Sequence, residues 1–384
     1  MKQGLKLTDF AAEIERQAES KKDYVAPTQA LTMQLSPVDA VLEQVDLEGS
    51  KKQATASWPN GPVLNFKTNG GTTDFHIRHH AHRHIGTHAG IPATYYDRML
   101  KDAPDLLVRN VNHWLAQSNA KRMVRTLDGH VRALLSDRYR PLDNFDLAQA
   151  VLPIIGKEYG MTVDSCAITE SRLYIKAFRA DMEREVEGST LVGDIVRAGI
   201  CISNSEVGDG SLKIEPMIMR LVCTNGQISK DHTLRKTHAG GSQSKGGIQV
   251  AQELLRDETR RKADEAFWMS VQDLTRATLD GPVFDQQVKA IEAVVGNKIE
   301  GKLDEVVEVT AKKFSLTENE QGGVLTHLIE GGDLSQWGLA NAVTRTSQDV
   351  DDYDRATDLE RMGGEIVELP KLDWEALSSA VKVA

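Results

Sequence analysis

The dipeptide Asp128-Gly129 lies between two runs of β-favouring residues, in the segment RMVRTLDGHVRALL. An Asp-Gly pair in this setting is a strong short-range signal for a β-hairpin with a two-residue turn. Farther along, TVDSCAITESRLYIKAFR and VRAGICISNSEVGDGSLKIEPMIMRLVC also read as strands joined by turns. The centre of the chain is therefore predicted to form a mostly antiparallel sheet.

Helical periodicity surrounds these strands. Apolar residues at helical spacing predict helices over 5–20, 105–118 and 144–158, and two short helices within 76–101 that are separated at Pro92. A long charged helix is predicted over about 249–279, and shorter ones follow at about 284–296, 302–314, 317–330 and 335–348. The expected fold class is α+β: a central, mostly antiparallel sheet with flanking helices, followed by a helical C-terminal region.

The 384 residues allow two domains, or one large domain with a helical appendix. The sequence suggests three parts. Residues 1–75 form an N-terminal helix and a loop-rich segment, and residues 76–250 form an α+β core with a basic hairpin and a basic loop. Residues 251–384 form an acidic, mainly helical C-terminal region.

Charge is distributed unevenly within a net charge of −10. Residues 76–140 hold 11 basic and 5 acidic side chains and 8 of the 11 histidines, whereas residues 251–384 hold 15 basic and 27 acidic side chains. A basic block in an acidic chain indicates a surface for a polyanion. The alternative is that the block pairs with the acidic third, within the chain or between subunits. Faces of opposite charge also favour head-to-tail self-association.

Several protein classes are excluded by composition. No run approaches the roughly 18 apolar residues needed to span a bilayer, and the first residues lack the apolar core of a signal peptide. Cys166, Cys201 and Cys223 are odd in number and far apart. They argue against a disulfide scaffold and a structural zinc site, and they favour a reducing cytoplasm. We therefore expect a cytoplasmic protein with no membrane contact.

The predicted hairpin has an unusual pair of cations. With a two-residue turn at Asp128-Gly129, Arg125 is expected directly opposite Arg132. Two opposed arginines repel each other unless an anion or an acidic side chain lies between them. A phosphate group would suit them, because each guanidinium donates in a planar fork. The alternative is a carboxylate from the acidic third.

Further candidates for nucleic-acid contacts lie nearby. Tyr139 stands between Arg138 and Arg140, an interleaving that suits base stacking beside phosphate contacts. The basic loop 229–248 combines cations with glycine and serine and is expected to close over a strand. The predicted nucleic-acid-binding residues are the cations of the hairpin region and of this loop, with one tyrosine: Lys121, Arg122, Arg125, Arg132, Arg138, Tyr139, Arg140, Lys230, Arg235, Lys236 and Lys245.

The segment HIRHHAHRHIGTH contains a histidine series. If the segment is helical, His76, His80, His84 and His88 recur at i,i+4, the spacing by which two imidazoles share a metal ion. The segment has no carboxylate base, and its arginines would repel a cation. It is therefore more typical of a basic or anion-facing helix, with a metal site as the alternative. We expect no cofactor, and the absence of nucleophile-elbow, glycosidase and kinase patterns argues against an enzyme.

Several segments together resemble a known family. They are IPATYYDRML, NVNHWL, VRALLSDRYRPLDN, ISNSEVGDGSLKIEPMIMRLVCTNG and ANAVTRTSQDVDDYDRATDLERMGGEIVEL. They resemble the phage/plasmid-like proteins of domain-of-unknown-function family 932, over roughly residues 75–370. The family occurs mostly in phages, prophages and plasmids. The expected architecture is also similar to that of the RecT/Redβ-like single-strand annealing proteins, although this likeness involves no shared motif.

The leading hypothesis is a phage- or plasmid-encoded protein that binds single-stranded DNA and supports strand annealing or homologous recombination. It is expected to form a homo-oligomer, and its acidic third would contact a neighbouring subunit or a host or phage replication protein. One alternative is a non-enzymatic interaction or counter-defence protein that acts on a host protein through the acidic region. Another is a metal-dependent nuclease that uses the histidine series.

Overall fold

The structure is a computed structural model that describes residues 1–36, 61–68, 70–229, 234–236 and 257–380. In this part of the chain the strands form two sheets of six strands each. The strands, in chain order, are β1 (Lys22–Pro27), β2 (Thr32–Leu35), β3 (Pro62–Thr68), β4 (Gly71–Ile77), β5 (Lys121–Leu127), β6 (His130–Ser136), β7 (Thr162–Ile168), β8 (Leu173–Glu185), β9 (Ile195–Asn204), β10 (Leu212–Arg220), β11 (Asn225–Ile228) and β12 (Leu234–Lys236).

The helices, in chain order, are α1 (Leu7–Ser20), α2 (His79–His88), α3 (Ala93–Asp102), α4 (Pro104–Gln117), α5 (Asn144–Pro153), α6 (Asp257–Thr278), α7 (Gly281–Glu292), α8 (Leu303–Phe314), α9 (Glu318–Gly331), α10 (Gln336–Thr346), α11 (Tyr353–Val367) and α12 (Lys371–Ser378). Helix α1 precedes the strands, α2–α4 lie between β4 and β5, α5 lies between β6 and β7, and α6–α12 follow the strands. The predicted helix positions are confirmed to within a few residues wherever the structure describes them.

The first sheet has the strand order β1-β5-β6-β4-β3-β2. Neighbouring strands of this sheet are antiparallel, except that β4 and β6 are parallel. Helices α2, α3 and α4 cover one face of this sheet. Leu64, Phe66, Ile85, Tyr96 and Val111 lie in the apolar core between them. Strands β1–β4 come from the first 77 residues and pair with the predicted hairpin β5–β6.

The second sheet has the order β11-β10-β9-β8-β7, and β12 also pairs with β10. The two predicted hairpins of this region, β7–β8 and β9–β10, are confirmed. Because side chains alternate along a strand, neighbouring residues of β8 serve different cores. Ile175 packs towards Phe10 of α1 and Val151 of α5, whereas Tyr174 packs with Tyr353 of α11.

The C-terminal helices have a core of their own. Trp337, Val306 and Leu359 are buried there and pack with Val196 and Ile218 of the second sheet. The α+β class and the helical C-terminal region are therefore confirmed, but the chain builds two sheets rather than one central sheet. No helix among the described residues combines the length and the apolar character that crossing a membrane requires.

A local sequence signal explains the start of helix α9. Before α9, the Thr317 side chain accepts a hydrogen bond from the Glu320 N–H at 3.3 Å, and Glu320 accepts one from the Thr317 N–H at 2.8 Å. This reciprocal capping box satisfies two N–H groups that a helix start leaves without partners. Glu320 also pairs with Arg355 of α11 at 2.7 Å, so the cap joins two helices.

Candidate nucleic-acid interface

The β5–β6 hairpin turns where the sequence predicts. Asp128 and Gly129 have φ values of 50° and 74°, as a two-residue turn with two left-handed residues requires. Leu127 pairs with His130 directly across the turn. On the outside, the Asp128 carboxylate accepts hydrogen bonds from Arg16 of α1 at 2.9 and 3.0 Å. The turn is therefore attached to the N-terminal helix.

The register beyond the turn differs from the prediction. Arg125 lies opposite Ala133, not Arg132, because the pairing shifts by one residue between Arg125 and Thr126. Arg132 is the extra residue of a β-bulge. A bulge re-aims side chains locally, and the expected direct opposition of the two arginines was wrong for this reason.

Arg125 has a buried side chain that lies in an ion-pair network with partly exposed carboxylates. Its side chain is 1% exposed, and its three nitrogens donate to Asp23 at 2.8 Å, to the Glu206 carbonyl at 2.7 Å and to Asp143 at 2.9 Å. Burial alone would lower the pKa of Arg125, but the neighbouring carboxylates outweigh it and hold the pKa above its ordinary value. A phosphate would have to displace these partners, so Arg125 has a structural role here.

Arg132 lies beside the same network. It is 6% exposed, and its Nη2 lies 2.8 Å from Glu206 Oε2. The other oxygen of Glu206 accepts a hydrogen bond from the Asn144 N–H at 2.6 Å. The carboxylates that serve Arg125 and Arg132 therefore come from Asp23, Asp143 and Glu206. The alternative to a phosphate, a carboxylate from the acidic third, was therefore wrong in its source.

Tyr139 and Arg140 also have protein partners. The Tyr139 O–H donates to the Ser205 carbonyl at 3.1 Å, and its ring packs on the apolar cluster that contains Leu135. Burial raises the pKa of Tyr139. Arg140 pairs with Asp264 of α6 and lies 5.0 Å above the Phe267 ring. The ring of Tyr139 is thus committed to packing, and Arg140 contacts the acidic third.

Three predicted cations remain together at the open end of the hairpin. Arg122 pairs with Ser136 across the strands, which places Lys121 and Arg138 at the same end. Lys121 and Arg138 are exposed. In the part of the chain that the structure describes, none of the three cations forms an ion pair with a carboxylate. We call Lys121, Arg122 and Arg138, together with His88, the hairpin-end cluster.

His88 and Arg122 form an incomplete polar contact. Arg122 Nη2 lies 3.0 Å from His88 Nδ1, so we assign Nδ1 as the acceptor and place the ring proton on Nε2. Burial first, and then the charge of Arg122, lower the pKa of His88. Arg122 Nε and His88 Nε2 are both buried and have no hydrogen-bond partner among the described residues. Buried donors without acceptors are costly, and a ligand oxygen would satisfy them.

The histidine series has a structural explanation in α2. The prediction that His76 lies in one helix with the other three histidines was wrong. His76 lies in strand β4, where pairing with β3 and β6 holds it. His80 Nε2 lies 3.2 Å from the Val207 carbonyl. The Leu134 N–H donates to His84 Nδ1 at 3.3 Å. Burial lowers the pKa of His84 to about 4, so its ring is neutral near pH 7.

No group of three or more histidine, cysteine or carboxylate side chains suited to a metal ion occurs within the described ranges. The histidines of α2 instead attach this helix to β6 and to the connection after β9. The metal-site alternative therefore has no geometric support in that part of the chain.

The predicted basic loop is described only in part. Lys230 and Lys245 lie outside the described residues. Arg235 and Lys236 belong to strand β12, which pairs with β10 at Lys213 and Leu212. Closure of this loop over a nucleic-acid strand therefore stays a prediction.

Sequence reasoning missed the partners of the arginines and the exposed aromatic residues. Glu206 and Asp143 lie within two of the segments that carried the family resemblance, which is the one signal that could have singled them out. Tyr95 and Trp114 are 46% and 47% exposed on α3 and α4. Helix α4 leads into Lys121 through residues 118–120.

The family model described as Domain of unknown function (DUF932) matches residues 132–361. The chain belongs to the DUF932 family. The DUF932 match spans more than half of the chain and includes Asp143, Glu206 and Arg138, but it begins after β5. No curated protein and no solved structure matches the chain.

Proposed function

We propose that this DUF932 protein binds single-stranded DNA through the hairpin-end cluster and supports strand annealing or recombination. The observation that carries the proposal is the convergence of Lys121, Arg122 and Arg138 at one end of the hairpin without carboxylate partners among the described residues. Cations free of internal counter-charge are available to phosphates, whereas an arginine such as Arg125, whose three nitrogens all have acceptors, is not.

The charge balance of the basic block supports this choice. Five of its eleven cations form ion pairs with carboxylates: Arg83, Arg109, Arg125, Arg132 and Arg140. The other six have no such pair within the described part of the chain: Arg78, Arg98, Lys101, Lys121, Arg122 and Arg138. A block that keeps half of its cations uncompensated attracts a polyanion.

The chemistry of the cluster suits phosphate contacts rather than base reading. Lys121 and Arg138 are exposed and flexible enough to follow a backbone, and Arg122 and His88 offer two donors without acceptors. Phosphate contacts position a nucleic acid without reading its sequence. Trp114 and Tyr95 are exposed aromatic side chains on α4 and α3, and such rings stack bases of any identity. We therefore expect weak sequence preference.

One observation weighs against the alternative in which the acidic third neutralises the basic block. Among the side chains that the structure describes, Arg140–Asp264 is the one ion pair that joins residues 76–140 to the acidic C-terminal region. Within the described ranges, the acidic helices therefore neutralise little of the basic block. We propose that they contact a neighbouring subunit or a basic replication partner in a phage- or plasmid-related cytoplasmic setting.

The test is binding of a fluorescent single strand of about 40 nucleotides, with duplex as competitor, over a range of salt. Three phosphate contacts predict a slope of about −2 in log affinity against log salt, at about 0.7 per contact on single strands. The triple variant Lys121→Glu, Arg122→Glu and Arg138→Glu should bind at least about tenfold more weakly with a flatter slope. Lys371→Glu on α12 is the matched control, because Lys371 is an exposed lysine far along the chain. Failure of the wild type to bind at low salt, or unchanged binding by the triple variant, contradicts the proposal.

A further inference from the structure

A second pair of cations meets where β4 runs parallel to β6. His76 pairs with His130 in the parallel register, and the Arg78 N–H donates to the Val131 carbonyl at 3.0 Å just beyond the end of β4. One residue farther along the two strands, the neighbours are Arg78 and Arg132. The repulsion expected between Arg125 and Arg132 therefore arises between a different pair of arginines.

Four polar side chains near this parallel pairing lie on one face of the first sheet. Ile77 and Val131 point into the apolar core beneath α2–α4, so the residues beside them leave from the opposite face. Those residues are His76, Arg78, His130 and Arg132. The rings of His76 and His130 are 5.6 Å apart between centroids. Two like pairs, one of histidines and one of arginines, thus lie next to each other.

Counter-charge for the arginine pair is incomplete. Arg78 forms no ion pair and no side-chain hydrogen bond with any residue that the structure describes. Arg132 contacts Glu206 through Nη2, but its Nη1 is buried and has no hydrogen-bond partner in the described structure. Burial first and the charge of Arg132 second lower the pKa of Arg78. Neighbouring arginines without an anion between them are destabilising.

Glu170 and Asp128, the two acids whose charge acts on Arg78, have other hydrogen-bond partners. Glu170 accepts a hydrogen bond from the His80 N–H at 3.1 Å, at the start of α2. The Asp128 carboxylate accepts hydrogen bonds from Arg16 and from Ser20. Neither acid bonds to Arg78, which leaves a planar fork of donors unfilled.

We propose that Arg78 and Arg132 bind the tetrahedral oxyanion of a phosphate group between them. The phosphate is either the free ion or a terminal phosphomonoester of a DNA strand. Both present the same oxygens to the two guanidinium groups. This site is separate from the hairpin-end cluster, because β6 runs about 13 Å from Arg132 to Ser136 at about 3.3 Å per residue. It does not require the proposed function to be correct.

Titration calorimetry and thermal unfolding with inorganic phosphate, at constant ionic strength in chloride, test the site. Phosphate should raise the unfolding midpoint of the wild type and of the control Arg98→Gln, which removes another arginine that forms no ion pair with a described residue. Arg78→Gln should bind phosphate at least about tenfold more weakly. In chloride alone, Arg78→Gln should unfold no earlier than the wild type, because it relieves repulsion from Arg132. Absence of phosphate binding by the wild type, or wild-type affinity in Arg78→Gln, overturns the proposal.

A second measurement identifies the source of the phosphate. Oligothymidylates of about 12 nucleotides, with and without a 5′-phosphate, are compared for binding. A preference for the 5′-phosphate that disappears in Arg78→Gln supports a strand end, and phosphate binding without that preference supports the free ion. The triple variant at the hairpin end should keep its affinity for inorganic phosphate, so failure of the DNA proposal and failure of this one are distinguishable.

Discussion

Lys176 of β8 and Glu360 of α11 form an ion pair of 2.6 Å in which both side chains are 0% exposed. Lys176 also donates to Thr357 at 2.9 Å and lies 4.6 Å from the Tyr353 ring. Burial alone would lower the pKa of Lys176, but the Glu360 carboxylate raises it above the ordinary lysine value. The pair fixes how α11 lies on the second sheet.

Removing one partner of this pair should destabilise the protein strongly. Glu360→Gln leaves a buried ammonium group without its counter-ion, and such losses cost about 3–5 kcal/mol. Urea unfolding followed by circular dichroism measures the change. The double variant Lys176→Met with Glu360→Leu should lose much less, because neither buried charge remains. Equal losses in the single and double variants would show that side-chain packing, and not charge, decides the effect.

Arg125 and Lys121 separate structural cations from binding cations within one strand. Arg125→Gln should lower the free energy of unfolding by about 1–3 kcal/mol, because it leaves the Glu206 carbonyl, Asp23 and Asp143 without the donors of Arg125. Lys121→Gln should change stability by less than about 0.5 kcal/mol, since the residue is exposed, but it should weaken binding of single-stranded DNA. Denaturant titrations and binding isotherms on both variants give the comparison. A stable Arg125→Gln protein that binds DNA poorly would return Arg125 to the candidate interface.

Stability should fall as the pH decreases from about 6.5 towards 4. His82 is buried against Tyr96, with Nδ1 2.8 Å from the tyrosine hydroxyl, and burial lowers its pKa from 6.5 to about 4. The unfolded chain therefore binds this proton more tightly than the folded protein, and the full stabilisation is present above the unfolded pKa. The difference for His82 is on the order of 3 kcal/mol across the window.

Urea unfolding at about pH 7 and pH 5 measures this dependence. His82→Gln should unfold with a shallower pH dependence than the wild type over that interval. The exposed residue His113 is the control, and His113→Gln should leave the slope unchanged. Identical slopes in His82→Gln and the wild type would assign the dependence to other groups.

Two helical glycines should respond in opposite ways to alanine. A Cβ on Gly364 of α11 would lie 1.9 Å from the Ile228 carbonyl oxygen, whereas a Cβ on Gly322 of α9 would meet nothing within 4 Å. Gly364→Ala should therefore destabilise the protein by about 1–3 kcal/mol or more. Gly322→Ala should stabilise it by about 0.5–1 kcal/mol, because alanine favours the helix interior. Thermal unfolding of the two variants decides, and a stable Gly364→Ala protein would rule out close contact between α11 and β11.

Sequence patterns predicted the elements whose cause is local. Asp128-Gly129 dictates its turn through backbone conformation, and the strands of β7–β10 and helices α1 to α10 follow from residue periodicity. Helices α11 and α12 were not predicted. The bulge at Arg132 could not be predicted, because no local sequence pattern marks the register shift between Arg125 and Thr126. The division into two sheets likewise depends on strand pairings between distant segments.

The candidate site shows the same limit. Lys121, Arg122 and Arg138 were found because a local excess of positive charge is visible in sequence. Arg125 and Arg132 were expected to be equally available, since sequence does not reveal which cations meet a carboxylate in the fold. Arg78 was considered only as a cation that repels metals, because its position beside Arg132 arises from a parallel pairing of strands that are more than 50 residues apart.

Helix α1 and strand β1 follow each other in the chain, yet they belong to different layers. Phe10 and Ile14 of α1 pack with Leu147 and Val151 of α5 and with Phe267 of α6, whereas β1 pairs with β5 in the first sheet. During synthesis α1 therefore emerges long before its packing partners, because α6 begins at Asp257. The first sheet gains all of its strands once residue 136 has emerged. We expect α1 to dock late, and its docking then connects the first sheet to the second by a step that depends on contacts of long sequence separation.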